Sequence, residues 1–145
     1  MEWVNDLQGK TVGLDTAPLI YFIEENPAYL ETVKLFFEAM DRDDFTVVTS
    51  TVTLVEVLVH PLRGNNTIIA AEYRDILLNS KLMTVDVSST IAEQAARLRA
   101  VHNIRTPDAI QISAALNAGA TYFFTNDIRL PEIADIQILS LDSLK

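Results

Sequence analysis

Four acidic residues stand where a buried segment or a helix end would otherwise be neutral, namely Asp15, Glu56, Asp108 and Asp127. Each lies in or beside a predicted turn, where distant segments of the chain can converge. Carboxylate oxygens are the ligands that hard divalent cations such as Mg²⁺ and Mn²⁺ prefer. The four residues therefore predict a carboxylate pocket that binds one or two divalent metal ions.

Two of these acids, Asp15 and Asp127, are each expected directly after a buried strand. The apolar segment that begins at Thr11 stops at Asp15 and then meets Pro18, which favours the first turn of a helix. The apolar and aromatic stretch 120–124 leads to Asp127 in the same way. Ligands of open α/β sheets bind beyond the carboxyl ends of the strands, so both acids are expected at one edge. Taken singly, each is also explained as a helix cap or a turn residue.

Glu56 has apolar neighbours at positions 54, 55, 57 and 58. An unpaired carboxylate buried among such residues would cost several kcal/mol. A bound metal ion, an arginine or exposure on the open face of a helix would each remove this cost, and the sequence leaves these alternatives open. His60 lies four residues further on and is predicted to be a helix C-terminal or surface histidine.

Asp108 follows Thr106 and Pro107 at a strong helix start, with Thr106 predicted at the cap and Pro107 at the first helical position. An acid in the first turn interacts favourably with the helix dipole, by about 0.3 to 1 kcal/mol. By itself, Asp108 therefore does not indicate catalysis.

The four acids lie in four motifs: LDTAPLIYFI around Asp15, TLVEVLV around Glu56, RTPDAIQISAAL around Asp108 and YFFTNDIRL around Asp127. In their order, spacing and secondary-structure context, these motifs resemble a PIN domain, particularly the VapC-like toxin ribonucleases. The resemblance extends over nearly the full length, from about residue 13 to about residue 141, and each of the four acids matches a motif acid of that family.

The resemblance implies an Mg²⁺- or Mn²⁺-dependent endoribonuclease that hydrolyses RNA phosphodiester bonds and is the toxin of a type II toxin-antitoxin pair. It implies that all four acids are catalytic metal ligands. Asp15 and Asp108 are expected to be the primary ligands, with Glu56 and Asp127 completing the set directly or through water. Thr125 matches a hydroxyl-bearing residue that the family usually has near the last acid. The expected partners are an RNA substrate, a cognate antitoxin and a second copy of the chain in a homodimer.

Two other classes of function stay open. One is a catalytically silent interaction module with the same fold, although the intact set of four acids argues against it. The other is a metal-dependent nuclease or phosphatase that acts on DNA or another phosphoester, because the same pocket chemistry serves any of these substrates.

Net charge is the main argument against a nuclease. The chain carries a net charge of −9, whereas proteins that hold nucleic acid usually present a basic surface. Two divalent ions in the pocket would reverse the local field. Arg63, Arg105 and Arg129 lie near the acid-bearing segments and are candidates for phosphate contacts, while ion pairs that neutralise the acids without metal are the alternative. Four close carboxylates also predict raised carboxylate pKa values.

Composition and segment pattern predict a single domain over residues 1–145. The chain has 49% hydrophobic residues and no cysteine, so disulfides and thiolate metal sites are excluded. No apolar run reaches the roughly 18 residues of a membrane helix, and a cytoplasmic protein is expected. Strand-like and helix-like segments alternate, which predicts an α/β fold. Its central, mostly parallel sheet is expected to have four or five strands flanked by helices on both faces.

Overall fold

The computed structural model describes residues 2–144. The outermost residues of the predicted domain, Met1 and Lys145, lie outside this range. Across residues 2–144, no helix is long and apolar enough to cross a membrane.

One five-stranded sheet forms the centre of the molecule, with the strand order β3-β2-β1-β4-β5. Its strands are β1 (Thr11–Leu14), β2 (Thr46–Ser50), β3 (Met83–Val85), β4 (Tyr122–Thr125) and β5 (Gln137–Ser140). Every pairing between these strands is parallel. The predicted α/β class and the predicted sheet are therefore confirmed, with five strands. The carboxyl ends of β1, β2 and β4, which are neighbours in the sheet, lie at the same edge.

Eight helices occur within residues 2–144. They are α1 (Glu2–Asn5), α2 (Thr16–Ile23), α3 (Leu30–Asp41), α4 (Thr51–Arg63), α5 (Thr67–Asn79), α6 (Ser89–Val101), α7 (Thr106–Asn117) and α8 (Leu141–Leu144). Four of these helices begin with a side chain that accepts a hydrogen bond from a backbone N–H of the first turn. The capping residues are Asp15 for α2, Ser50 for α4, Asn66 for α5 and Ser88 for α6. These local capping bonds explain why the helices begin directly after the strands or turns.

The start of α7 differs from the prediction by one residue. Arg105, and not Thr106, occupies the cap position, so that Thr106 and Pro107 are the first two helical residues and Asp108 is the third. The Thr106 hydroxyl accepts a hydrogen bond from Arg99 Nη1 at 2.9 Å. The interaction with a neighbouring helix thus takes the place of the expected cap.

Alternate residues of the central strand face two separate apolar cores. Val12 and Leu14 pack into the core formed with helices α1 to α5, whereas α7 lies against the opposite face of the sheet, where Phe123 of β4 is buried. Gly13 allows the close approach of α7, because an added Cβ would lie 2.5 Å from Ala115 Cβ. Helices on both faces are therefore confirmed, and the close packing brings the first turn of α7 to the edge where β1 ends.

Candidate functional site

All four predicted acids line one cavity of about 500 Å³. Asp15 directly follows β1, and Asp127 lies two residues beyond β4. Glu56 lies on α4, which begins where β2 ends, and Asp108 lies in the first turn of α7. Parallel neighbouring strands end at the same edge, so residues that are far apart in the sequence meet there. The structure brings the four side chains together, and their roles in metal binding and catalysis stay predictions.

Asp15 lies at the centre of this arrangement and caps α2. Its Oδ1 accepts the backbone N–H of Thr16 at 2.8 Å, and its Oδ2 accepts the Thr125 hydroxyl at 2.7 Å. Burial is the main cause that raises the pKa of Asp15; the two hydrogen bonds oppose the shift, and the charges of Asp108 and Glu56 add to it. The ionised carboxylate is therefore incompletely compensated, and a bound cation would compensate it.

Glu56 lies on the exposed side of α4. Of the three explanations that the sequence left open for this acid, the structure contains exposure on the open face of a helix. Its Oε1 accepts the hydroxyl of Thr16 at 2.6 Å. Thr16 therefore contacts two of the four acids, since its N–H donates to Asp15 and its hydroxyl donates to Glu56. His60 is exposed in the last turn of the same helix, as predicted, and is not among the residues that line the cavity.

Asp108 and Asp127 each form a bidentate ion pair with an arginine. Arg105 Nε and Nη2 donate to the Asp108 carboxylate at 3.0 and 3.3 Å. Arg129 Nε and Nη2 donate to the Asp127 carboxylate at the same two distances. Arg105 and Arg129 also line the cavity, whereas Arg63 does not. Of the two roles predicted for these arginines, phosphate contacts or ion pairs with the acids, the structure contains the ion pairs.

The arginine pairs change the electrostatics of the site from those predicted. The hydrogen bond from Arg129 is the main cause that lowers the pKa of Asp127, against the effect of burial. The expectation of raised carboxylate pKa values is therefore wrong for Asp127, although it agrees with the direction at Asp15. A guanidinium group within hydrogen-bond distance outweighs the repulsion among the acids at this position.

The donor chemistry of the cavity fits a hard divalent cation, because four carboxylates and neighbouring hydroxyls offer oxygen ligands and no sulfur or imidazole lines the cavity. Within residues 2–144, however, no three histidine, cysteine, aspartate or glutamate side chains are grouped so that they would hold a metal ion. Two of the four carboxylates face arginines instead. A cation at this site would therefore compete with Arg105 and Arg129 for Asp108 and Asp127.

Gln111 lies on α7, within the motif around Asp108, but its residue type alone does not mark it as part of the site. Gln111 is 2% exposed. Its Oε1 accepts the Ser50 hydroxyl at 2.8 Å, and its Nε2 donates to the hydroxyls of Thr53 and Thr16. The one signal in the sequence is a glutamine within the otherwise apolar stretch 109–112. Such a residue needs buried hydrogen-bond partners, but its type does not say where they lie.

Comparison with known proteins agrees with this fold. A model of the PIN domain family matches residues 12–136. One similar solved structure is VapBC2 from Rickettsia felis bound to a DNA fragment from their promoter, with 20% identity, a TM-score of 0.71 and coverage of 90% of this chain and 98% of that chain. A toxin-antitoxin complex from Klebsiella pneumoniae has 20% identity, a TM-score of 0.69 and coverage of 90% and 97%.

A third similar structure is VapC20 from Mycobacterium tuberculosis, a sarcin-ricin loop cleaving toxin, with 19% identity, a TM-score of 0.65 and coverage of 78% of this chain and 86% of that chain. A search of the curated proteins finds no match. At these identities, the solved structures establish likeness of fold alone, whereas the family match extends over most of the sequence. The chain belongs to the PIN domain family.

Proposed function

We propose that this protein is a metal-dependent endoribonuclease that hydrolyses RNA phosphodiester bonds, with the whole chain as one nuclease domain. The observation that supports this function most strongly is the meeting of four carboxylates, from four separate segments, in one cavity of a PIN-family chain. Clustered acids with a perturbed pKa in a cleft are typical of a functional site. A structural neighbour that is described as cleaving the sarcin-ricin loop supports RNA as the substrate.

Asp15 and Asp108 are the proposed primary ligands for Mg²⁺ or Mn²⁺, with Glu56 and Asp127 completing the set directly or through water. Such an ion, when bound, would lower the pKa of a water molecule, so that hydroxide is available to attack phosphorus, and would stabilise the departing oxygen. The chain's own contribution is to hold the ligands in place. The Thr125 hydroxyl donates to Asp15 and accepts the N–H of Asp127, so one side chain orients an acid from each of two strands.

Arg105 and Arg129 have two proposed roles that alternate. In the metal-free cavity they neutralise Asp108 and Asp127 through bidentate pairs. Once a cation takes up these carboxylates, the same guanidinium groups are available to the substrate. Their planar fork matches two oxygens of a phosphate as well as it matches a carboxylate. Both arginine side chains are more than half exposed, so they can change partners without unfolding the site.

We further propose that the protein is the toxin of a type II toxin-antitoxin pair and acts in the cytoplasm as a homodimer. Two structural neighbours are described as VapBC2 and as a toxin-antitoxin complex, which supports an antitoxin partner. Helix α4 also presents Val55, Val59 and Leu62 to solvent at 65%, 45% and 55% exposure. These residues recur on one side of the helix next to Glu56, and an exposed apolar surface of this kind fits contact with another protein.

Incubation of purified protein with an RNA pool tests the nuclease proposal. The reactions contain Mn²⁺, Mg²⁺ or EDTA, and parallel reactions contain a DNA pool or a phosphomonoester. Asp15→Asn is compared with Asp86→Asn, which changes an exposed acid that does not line the cavity. We expect metal-dependent cutting of RNA that Asp15→Asn abolishes and Asp86→Asn retains.

Each other outcome has a defined meaning. Equal cutting by Asp15→Asn and the wild type would place the activity at another site or in a contaminant. Faster hydrolysis of DNA or of the phosphomonoester would favour the alternative substrates. A folded wild type that cuts none of these and binds a protein partner tightly would favour the silent interaction module.

A further inference from the structure

The buried amide of Gln111 joins three elements that border the proposed site. Its Oε1 accepts from Ser50, the last residue of β2, at 2.8 Å. Its Nε2 donates to Thr53 on α4 and, at 3.4 Å, to Thr16 on α2. The amide oxygen and both amide hydrogens therefore have partners, as a buried side chain of this kind requires.

The two N–H groups of this amide begin two chains of hydrogen bonds. One chain runs through the Thr16 hydroxyl, which donates to Glu56 Oε1 at 2.6 Å. The other runs through Thr53 to the Thr49 hydroxyl, 2.8 Å away, and from Thr49 to the carbonyl of Leu14 at 3.0 Å. Because Thr49 donates its hydrogen to Leu14, the hydrogen between the two threonines comes from Thr53. The Thr53 oxygen is then free to accept from the amide.

One chain ends at the carboxylate of Glu56 and the other at the backbone carbonyl of Leu14. Leu14 directly precedes Asp15, and Thr53 lies one helical turn before Glu56 on α4. Gln111 lies one turn after Asp108 on α7, on the same side of the helix. One side chain therefore links the backbone segments that carry three of the four acids.

We infer that Gln111 is a positioning residue that fixes how the acid-bearing segments sit relative to one another and so determines the affinity of the carboxylate pocket for a divalent cation. This inference rests on the proposed function. Directional hydrogen bonds in a buried, low-dielectric network hold their partners in one arrangement and are costly to leave incomplete. Gln111 does not touch the cavity, since it is not among the lining residues. Its effect would be transmitted through Thr16, Thr53 and the strand end before Asp15.

Helix α7 also contains a buried residue that provides a comparison. Ser113 is fully buried and its hydroxyl has no hydrogen-bond partner. A buried polar side chain on this helix therefore does not need a hydrogen-bond network, so the complete set of bonds made by Gln111 distinguishes it from Ser113. A variant of Ser113 changes a buried polar group on the same helix and leaves the network intact.

Mn²⁺ binding to Gln111→Met tests the inference, because methionine keeps the length and approximate volume of the side chain and removes its hydrogen bonds. Isothermal titration calorimetry and the Mn²⁺ electron paramagnetic resonance signal measure the affinity, and thermal unfolding without metal measures the stability. Changes in the groups that orient metal ligands typically reduce affinity by 10- to 100-fold. We expect the Kd for Mn²⁺ to increase at least about tenfold. RNA cleavage is expected to be reduced and to recover in part at higher Mn²⁺ concentration.

Two variants on the same helix are the matched controls. Ser113→Ala removes a buried hydroxyl outside the network, and Ile112→Val removes a methyl group from the core beside it. Both are expected to bind Mn²⁺ as the wild type does. If Gln111→Met does not fold, Thr53→Val breaks the chain to Leu14 while it keeps the side-chain shape, and the same weakening is expected.

Unchanged Mn²⁺ affinity in the network variant, beside a wild type that binds Mn²⁺ and cuts RNA, would overturn the positioning role and leave the proposed function standing. An equal loss of affinity in Ile112→Val would also overturn it, because the effect would then follow general stability. A folded wild type that neither binds Mn²⁺ nor cuts RNA would overturn the proposed function and this inference together.

Discussion

Replacement of Asp15 with asparagine is expected to stabilise the metal-free fold while it abolishes metal binding. Burial raises the pKa of Asp15, two hydrogen bonds oppose that shift without reversing it, and the charges of Asp108 and Glu56 add to it. A carboxyl group whose pKa is raised in the folded state destabilises that state once it ionises. Asparagine has nearly the same shape and no charge, so it removes this cost.

The size of the effect follows from the surroundings of the carboxylate. Full burial of an ion costs several kcal/mol. Because Asp15 is half-buried, the cost of removing its charge from water is on the order of 3 kcal/mol. Asparagine has one acceptor oxygen in place of two. The bond from the Thr16 N–H therefore loses its charge-assisted part, and the new amide nitrogen can only donate to the Thr125 hydroxyl, at a cost of about 1 kcal/mol each. The net stabilisation is therefore about 1 kcal/mol, or roughly 3 °C in Tm for a chain of this length.

The dependence on pH identifies the charge as the cause. The folded carboxyl group keeps its proton to a higher pH than the unfolded one, whose pKa is about 4. Between the two pKa values the folded state binds more protons, so the free energy of unfolding falls as pH rises. Wild type and Asp15→Asn are therefore expected to differ little near pH 4, and the variant gains its advantage as pH rises through the pKa of folded Asp15.

Urea unfolding of both proteins in EDTA, at steps between about pH 4 and pH 8, measures this difference directly. A variant that is less stable than the wild type at every pH would refute the reasoning, because the hydrogen bonds from Thr16 and Thr125 would then outweigh the buried charge. Addition of Mn²⁺ at about 100 times its Kd should reverse the order, with a gain of about 2.7 kcal/mol in the wild type alone.

Three further predictions follow from the same contacts. Arg129→Gln removes the main cause of the lowered pKa of Asp127, and is expected to tighten Mn²⁺ binding several-fold by calorimetry while it weakens RNA retention in filter binding; weaker Mn²⁺ binding would contradict the competition between arginine and metal. Gly13→Ala should lower the free energy of unfolding in urea by about 1 to 3 kcal/mol, because the new methyl group would lie 2.5 Å from Ala115 Cβ and 2.9 Å from Phe123 Cδ1; partial recovery in Gly13→Ala/Ala115→Gly is expected, and no recovery would show that the contact with Ala115 is not the cause. Removal of divalent ions with EDTA should end RNA cleavage, and Mg²⁺ or Mn²⁺ added to the same sample should restore it; cleavage that persists in EDTA would exclude a metal-dependent site.

The sheet and the meeting of the acids were predictable because they depend on local signals and one general rule. Apolar runs that end at Leu14 and Phe124 mark the ends of two strands within one residue, and Ser50, which caps α4, is a residue type that starts helices. Parallel strands that are neighbours in a sheet end at one edge, so their following residues meet. Asp15 and Asp127 were placed together in this way without any knowledge of side-chain contacts.

The partners of the acids were not predictable to the same degree. Arg105 and Arg129 lie three and two residues from their carboxylates, yet a nearby arginine in the sequence fits a solvated side chain equally well. Gln111 is separated from Ser50 by 61 residues and from Thr16 by 95. No local pattern indicates such a contact, since it depends on how α7 packs across β1 and β2. The start of α7 was misplaced for the same reason, because Arg99 on the preceding helix binds the Thr106 hydroxyl.

The acidic charge of the chain and a substrate made of phosphates are compatible if metal binding precedes RNA binding. Four carboxylates and two guanidinium groups give the cavity a formal charge of −2 when all six are ionised, so a phosphate is repelled and the arginines are held by Asp108 and Asp127. Each divalent ion adds two positive charges and competes for the carboxylates, which makes the cavity neutral or positive and releases the arginine forks. Affinity for RNA should therefore rise with Mg²⁺ or Mn²⁺ concentration in Asp86→Asn as in the wild type. In Asp15→Asn, where the proposed ligand is lost, RNA affinity should not depend on these ions.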